Sequence, residues 1–168
     1  DGEVLNRQGE VFFLAAIMDP IGGGMTGACR AASQTFALPA SGAVTTSSFD
    51  AELRLELYGR TSAADEPDHG FQATFNGNDL PDETYDGEGN HETVYSISPA
   101  WLVTGDNTVE LTVAKPSGVS SDWTYIDALE LRFPREVRLD AANTQLEFEV
   151  AESGTVSLGG FDSVDDAA

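Results

Sequence analysis

Strict alternation of apolar and polar residues is the feature that most limits what this chain can become. The clearest case is AELRLEL, residues 51–57, in which alanine and leucine alternate with glutamate and arginine. Successive side chains of a strand point to opposite faces, so this pattern predicts a strand with one face in the core and one in water. An amphipathic helix would instead repeat its apolar residues three and four positions apart.

The same period recurs along the chain, with turn-forming residues between the runs. Strands are predicted over residues 33–38, 71–76, 91–97, 109–113 and 123–133, and a short helical turn over 98–105. A strand is also predicted over 10–18, and its continuous apolar run at 11–17 indicates that both faces are covered, although the periodicity also allows a short helix. The separating turns are Asn76-Gly77, Asp86-Gly87, Gly105-Asp106-Asn107 and Pro116-Ser117-Gly118. Short strands at this spacing indicate an all-β, antiparallel β-sandwich and not an α/β fold.

Three segments carry a family resemblance: DHGFQATFNG, LVTGDNTVELTV and WTYIDALELRFPR. In this order they resemble the jelly-roll, galactose-binding-like sandwich found beside the peptidase in secreted gingipain-type cysteine peptidases. The shared features are an NG strand, an L-x-x-G-x-N turn and a D-x-x-x-x-x-x-P-R strand. The resemblance implies a secreted or cell-surface, non-catalytic accessory domain. Its partner would be a neighbouring domain of the same polypeptide or a surface protein.

Two units are expected in the 168 residues. Residues 1–135 form the predicted sandwich, and Pro134 marks its end because proline interrupts strand pairing. Residues 136–168 form a small predicted β appendage with strand-like pieces at 145–150 and 154–158. In the resembled family such a segment leads toward the peptidase.

The charge balance limits the partners. The chain has 29 acidic against 8 basic residues and a net charge of −21, so nucleic acids and anionic membranes are repelled. No apolar run approaches the roughly 20 residues of a membrane span, so membrane insertion is not expected. Three explanations for the acidity stay open: a coat for salty surroundings, carboxylates for calcium, or simple solubility.

Calcium has one candidate site, in the acidic segment at residues 81–90. Asp82, Asp86, Glu88 and Asn90 offer oxygen ligands, and the last three alternate as ligands do in calcium loops. The segment is not an EF-hand, since it lacks the glycine at position six and the glutamate at position twelve.

Three further acidic or imidazole side chains stand at strand positions. Asp68 and His69 precede the strand at 71–76, where they either bind a ligand or anchor backbone amides at the strand entry. Asp127 alternates with apolar residues and is therefore expected in the core. There it must be paired, with Arg54, Arg132 or backbone amides, or held at a strand bulge.

The aromatic residues suggest an alternative function, a carbohydrate-binding module. Trp101, Trp123, Tyr85, Tyr95 and Tyr125 could stack on sugar rings. Trp123 and Tyr125 fall in the core pattern, so Tyr85, in a predicted exposed loop, is the candidate contact. A third possibility is an acidic cell-surface or filament subunit.

Catalysis is not expected from this chain. A cysteine peptidase needs a thiolate beside a histidine, and the available residues are Cys29, His69 and His91. None of them stands in a peptidase-like motif, and Cys29 is expected to pack as a small apolar side chain. No pair of carboxylates stands out as a glycosidase site.

Overall fold

The computed structural model describes residues 14–19, 30–64 and 66–135, and this part of the chain folds into two stacked β-sheets. A 3-10 helix lies at Pro99–Trp101, within the predicted helical turn. The strands of the described residues are β1 (Ala15–Met18), β2 (Arg30–Ala31), β3 (Ser33–Ala40), β4 (Ala51–Gly59), β5 (His69–Phe75), β6 (Asn78–Asp79), β7 (Glu83–Tyr85), β8 (Gly89–Ile97), β9 (Gly105–Val113) and β10 (Trp123–Arg132).

The strands divide into two sheets. Sheet A has the order β2-β1-β10-β4-β8, and sheet B has the order β3-β9-β5-β6, with β7 also paired to β5. Every pair is antiparallel except β1 with β2, which is parallel. The all-β sandwich predicted from the sequence is therefore confirmed. Within the described residues, no helix is long and apolar enough to cross a lipid bilayer.

The core is built by the inward faces of the central strands. In β4 every odd-numbered residue from Ala51 to Gly59 is buried, as the alternation predicts. Opposite lie Phe71 and Phe75 of β5 and Leu111 of β9, all at most 1% exposed. Each large side chain buried in this way stabilises the fold by about 1.5–3 kcal/mol relative to an exposed one. This face of β4 therefore holds the two sheets together.

The first half of β10 departs from the prediction. The alternation assigned Trp123 and Tyr125 to the core, but Thr124 and Ile126 fill it, at 2% and 0% exposure. Neighbouring residues of a strand point to opposite faces. Trp123 and Tyr125, which are only partly buried, therefore lie on the outer face of sheet A.

A β-bulge reverses the phase in the middle of the same strand. The pairing of β10 with β4 shifts register between Ile126 and Ala128, which leaves Asp127 as the extra residue. Beyond the bulge Leu129 and Leu131 pack against the core, as predicted. The expectation of a buried Asp127 is wrong, since its side chain is only partly buried.

Some strand boundaries differ slightly from the predicted ones, and some predictions fall on residues outside the described part of the chain. The strand predicted at 33–38 continues to Ala40 through Pro39, which is tolerated because β3 is an edge strand. The strand predicted at 10–18 is seen as β1, and residues 10–13 are outside the described part. Cys29 and the predicted appendage at 136–168 also lie outside the described residues.

Candidate functional site

Five ionisable side chains lie close together in the described part of the chain, and we call them the histidine cluster: the buried Asp68, His69, Tyr85 and Asp122 with the partly buried His91. His69 begins β5 and is fully buried. Its Nδ1 lies 2.7 Å from Oδ1 of Asp122, and its Nε2 lies 2.9 Å from the carbonyl oxygen of Thr61. A carboxylate and a carbonyl only accept hydrogen bonds, so this environment fits a doubly protonated, charged ring.

Electrostatics agree with a charged His69. Burial disfavours the charge, but the hydrogen bond and negative charge of Asp122, together with the charge of Asp68, raise the pKa of His69 above its usual value. The second carboxylate oxygen of Asp122 accepts the amide of Gly70 at 2.8 Å. No local pattern marks Asp122 as a partner of His69, because the two residues are 53 positions apart in the chain.

Asp68 acts as the anchor that the sequence suggested. Its two oxygens accept the backbone amides of Ala63 and Gly87, each at 2.8 Å. Burial opposes its ionisation, but these amides and the nearby His69 hold the pKa of Asp68 below its usual value. Asp68 therefore fastens two loops to the start of β5.

Tyr85 does not occupy the exposed position predicted for it. It lies in β7, is 8% exposed, and is stacked between His69 at 4.6 Å and His91 at 4.2 Å between ring centroids. Its hydroxyl is 2.6 Å from Oγ1 of Thr124, and burial raises the pKa of Tyr85. The exposed position predicted for Tyr85 is therefore wrong, and its role as a sugar contact stays a prediction.

A second polar group, which we call the asparagine cluster, consists of the partly buried Asn76 and the fully buried Asn107 at the far end of β5. Oδ1 of Asn107 accepts Nδ2 of Asn76 at 2.8 Å and the amide of Val103 at 2.9 Å. Nδ2 of Asn107 donates to the carbonyls of Val103 and Gly105 at 3.0 and 3.1 Å. Oδ1 of Asn76 accepts the amide of Thr108 at 2.7 Å. The asparagines of the NG and L-x-x-G-x-N motifs therefore tie strand ends together.

The candidate calcium ligands lie on the surface and point to separate neighbours. Asp82 accepts hydrogen bonds from Gln72 at 3.3 Å, and Glu88 pairs with Arg60 at 3.3 Å. Asp86 and Asn90 are also exposed. In residues 14–19, 30–64 and 66–135, no three His, Cys, Asp or Glu side chains are grouped so that they could hold a metal ion. The calcium site stays a prediction.

The two arginines proposed as partners of Asp127 form ion pairs with glutamates. Arg54 pairs with Glu56 and Glu92, and Arg132 pairs with glutamates at 52 and 130. Asp127 instead occupies the bulge in β10, where the irregular backbone leaves its side chain partly in solvent. This is the bulge position considered for it in the sequence.

An aromatic group lies on the outer face of sheet A. We call Tyr58, Trp123 and Tyr125 the outer aromatic face. Tyr58 of β4 is directly paired with Tyr125 of β10, and the rings of Trp123 and Tyr125 are 5.5 Å apart at 51°. All three are partly buried. The alternation of β4 predicts that Tyr58 faces outward. The outward positions of Trp123 and Tyr125 could not be predicted in the same way, because they depend on the bulge in β10.

Sheet B carries a groove of about 380 Å³ on the side of β5 and β9. Its polar lining includes Gln72, Asp79, Asp82, Glu110 and Thr112. Carboxylates, amides and hydroxyls dominate this surface, in contrast to the aromatic rings of sheet A. The groove therefore adds to the acidic character of the domain.

Similarity to known proteins is found at the level of solved structures. No protein-family model and no curated protein matches the chain. Among solved structures, the dimeric latent PorU of Porphyromonas gingivalis matches 66% of this chain with a TM-score of 0.48 and 8% identity. This chain spans only 10% of the length of that PorU chain.

Two carbohydrate-binding modules are also similar in structure. A CBM36 module in complex with calcium and xylotriose covers 59% of this chain, and 71% of that module is covered, with a TM-score of 0.41 and 11% identity. A family 35 module of Clostridium thermocellum covers 71% of this chain, and 89% of that module is covered, with a TM-score of 0.39 and 19% identity. All three TM-scores lie below 0.5, so the all-β sandwich rests on the two sheets of this chain and not on these matches.

Proposed function

We propose that this chain is a non-catalytic interaction domain of a multidomain protein that works outside the cell or at its surface. The observation that carries the proposal is the engagement of the histidine cluster in holding the fold. The polar side-chain atoms of His69, Asp68 and Asp122 are hydrogen-bonded to backbone or side-chain partners at 2.7–2.9 Å. These are the groups that hydrolytic chemistry would need.

The geometry of His69 argues against a role in proton transfer. A general acid or base must reach its substrate directly or through one water. His69 has no exposed surface, and both of its ring nitrogens face acceptors within the domain. His91 is the more accessible ring, at 22% side-chain exposure, but it stacks on Tyr85 and lies 3.3 Å from a carboxylate oxygen of Glu83.

A sandwich braced in this way suits docking. Its strands are fixed by core packing, while its two outer faces offer different chemistry, aromatic and ion-paired on sheet A and acidic on sheet B. The partner that we propose first is a neighbouring domain of the same polypeptide, as in the resembled gingipain-type proteins. Carbohydrate binding is the second candidate, suggested by the aromatic content of the sequence, although the burial of Tyr85 does not favour it. A surface or filament subunit is the third, favoured by the net charge of −21.

Two experiments test the proposal. The purified chain is incubated with peptide and oligosaccharide libraries, and mass spectrometry records any products. Binding without cleavage supports an interaction domain, whereas products that disappear in a His91→Ala variant would overturn it. Reading the gene beyond both ends tests the multidomain part, and an adjoining α/β domain with peptidase-like His-Gly and Cys motifs supports it.

Calcium is proposed only as a stabilising ion. The loop at 86–88 is tied to Asp68 through the amide of Gly87, so an ion bound by Asp86 or Glu88 would brace the histidine cluster. An ion that binds only the folded state adds RT ln(1 + [ion]/Kd) to the free energy of unfolding and so raises the melting temperature. An identical midpoint with added calcium and with a chelator rules this role out.

A further inference from the structure

We propose that the free edge of β8 is a docking site for a second copy of this chain. The β8 strands of the two copies would pair antiparallel and join their A sheets into one continuous sheet. Three features of the described residues support this pairing: a long edge with unpaired backbone groups, an exposed valine near its middle, and a sequence that complements itself across a two-fold axis.

The outer edge of β8 is long and unprotected, in contrast to the other sheet edges of the described residues. The edge strands β2 and β6 have two residues each, and β3 contains Pro39, which removes a backbone donor. β8 has nine residues, Gly89–Ile97, with no proline or lysine and no register shift against β4. Short length, proline and lysine are devices that keep an edge from pairing with another chain. β8 has none of them.

Half of the backbone groups of β8 point away from its own sheet. The amide of Arg60 donates to the carbonyl of Trp123 at 2.9 Å, so the even-numbered residues of β4 direct their backbone groups to β10 and the odd-numbered ones to β8. The regular pairing of β4 with β8 then leaves the even-numbered residues of β8 directed to the free edge. These residues are Asn90, Glu92, Val94 and Ser96. No other described strand pairs with this edge.

The side chains of these residues suit an uncharged contact. Val94 is 48% exposed on the outer face of sheet A. Glu92 is the one ionisable residue among the four, and its carboxylate pairs with Arg54. The hydroxyl of Ser96 donates to a carboxylate oxygen of Asp50 at 2.6 Å. The edge therefore presents an apolar centre and a compensated charge, although the chain as a whole is strongly acidic.

A two-fold axis at Val94 gives a self-complementary register. In such a contact residue i faces residue j while j faces i. Val94 then faces Val94 of the second copy, and Glu92 faces Ser96, so that an apolar pair lies between two carboxylate–hydroxyl pairs. An axis at Glu92 would set two carboxylates opposite each other, which is destabilising. An axis at Thr93 would set Glu92 against Val94. The register at Val94 therefore has the best matched pairs.

The charge of the whole chain predicts how this pairing responds to salt. Two copies with a net charge of −21 repel each other. Salt screens this repulsion, but it affects backbone hydrogen bonds and a valine pair much less. The dimer should therefore become tighter as salt is raised. A positively charged partner strand would show the opposite dependence, because salt would weaken its attraction to the acidic chain.

Sedimentation velocity of the full chain over a range of concentrations, at low and at high salt, tests the dimer. We expect a monomer–dimer equilibrium that shifts toward dimer at high salt. Val94→Lys should weaken self-association about tenfold or more, because it sets two like charges opposite each other at the axis. Val103→Lys is the matched control, since Val103 is 46% exposed but lies outside β8, and it should leave the equilibrium unchanged.

Cysteine cross-linking tests the register in a Cys29→Ser background. Val94→Cys should give a disulfide-linked dimer, because directly opposite residues of paired strands lie about 5.5 Å apart at Cα, within the span of a disulfide. Ser96→Cys alone should not cross-link to itself, since it faces Glu92. A mixture of Glu92→Cys and Ser96→Cys chains should cross-link to each other.

Each result bears on the proposal separately from the interaction function. A chain that stays monomeric at every concentration and salt would reject self-pairing and leave the interaction function standing. A dimer that is insensitive to Val94→Lys, or that loosens as salt is raised, would reject this edge as its contact. Cross-linking through Ser96→Cys but not Val94→Cys would reject the register. If Val94→Lys does not fold in a thermal melt, Val94→Thr replaces it and should also weaken the dimer.

Discussion

The two ends of β5 are fastened by buried polar clusters that do the same work with different chemistry. At the start of the strand, the histidine cluster uses a charged ring and two carboxylates. At the far end, the asparagine cluster uses only neutral amides. Both join backbone segments that are distant in sequence, so both replace secondary-structure hydrogen bonds where the strands end.

The two clusters differ in how much stability the protein loses when one hydrogen-bond partner is removed. Charged groups in a buried site make stronger hydrogen bonds, but a broken pair leaves an uncompensated charge. Neutral amides lose less when one partner is removed, and their bonds do not titrate. The histidine end should therefore be the more fragile one, and the one that responds to pH.

The largest effect is expected from Asp122→Ala. This change removes the partner of Nδ1 of His69 and of the amide of Gly70, and it leaves a buried ring without its counter-ion. We expect a loss of about 3–5 kcal/mol in the free energy of unfolding, measured by urea titration. A loss below 1 kcal/mol would show that the histidine cluster does not hold this end.

Asn107→Ala should cost less, about 2–3 kcal/mol, because it orphans neutral groups that each cost roughly 1–3 kcal/mol when buried. These groups include the amide of Val103 and the carbonyl of Gly105. Urea titrations at two pH values should give the same loss. Asn90→Ala, which truncates an exposed amide, is the control and should change stability by less than about 0.5 kcal/mol.

Gly59→Ala tests the packing at the histidine end by placing a methyl group against His69. An added Cβ would lie 2.5 Å from the carbonyl oxygen of Gly87 and 2.6 Å from Nε2 of His69. We expect a cost of about 1–3 kcal/mol, seen as a lower melting temperature. Its cross-strand partner Gly89 has open space around the same position, so Gly89→Ala should be neutral or slightly stabilising. Equal effects from the two changes would contradict the packing described for His69.

The smallest effect is a pH dependence confined to the histidine end. The pKa of His69 is raised, so its contribution is complete below about pH 6.5 and is lost as pH rises through the folded value. The pKa of Asp68 is lowered, so its contribution is present above about pH 3.9 and is lost as pH falls through the folded value.

Urea titrations across this range provide the measurement. In a His69→Gln variant the alkaline decline should flatten, because the titrating ring is gone. In Asn107→Ala it should persist unchanged. A wild-type chain whose stability does not fall on the alkaline side would argue against a charged His69.

Most strands were predictable because their signal is local. The face of β4 follows directly from the alternation at 51–57, and the turn at Asn76-Gly77 is confirmed by positive φ values of 50° and 75°. Asp68 was also placed correctly as an anchor, since an aspartate before a strand commonly accepts backbone amides. Its companion Asp122 could not be foreseen, because nothing local marks a residue that meets His69 across the fold.

The aromatic residues show where local reasoning ends. Tyr85 lies in the acidic segment at 81–90, and the composition of that segment suggests an exposed loop. Its burial depends on His69 and His91, which come from two other strands. Trp123 and Tyr125 continue an unbroken alternation in the sequence, yet the bulge gives them the opposite face.

The sequence by itself determined that this chain forms strands, where most of them turn, and that they stack as an all-β sandwich, because side-chain alternation and turn chemistry act over a few residues. Only the tertiary structure decided which side chains face outward in β10 and which polar groups meet at the ends of β5. A bulge is a mismatch in length between two paired strands, and a buried cluster is an encounter between distant segments. Neither is a property of any single stretch of sequence.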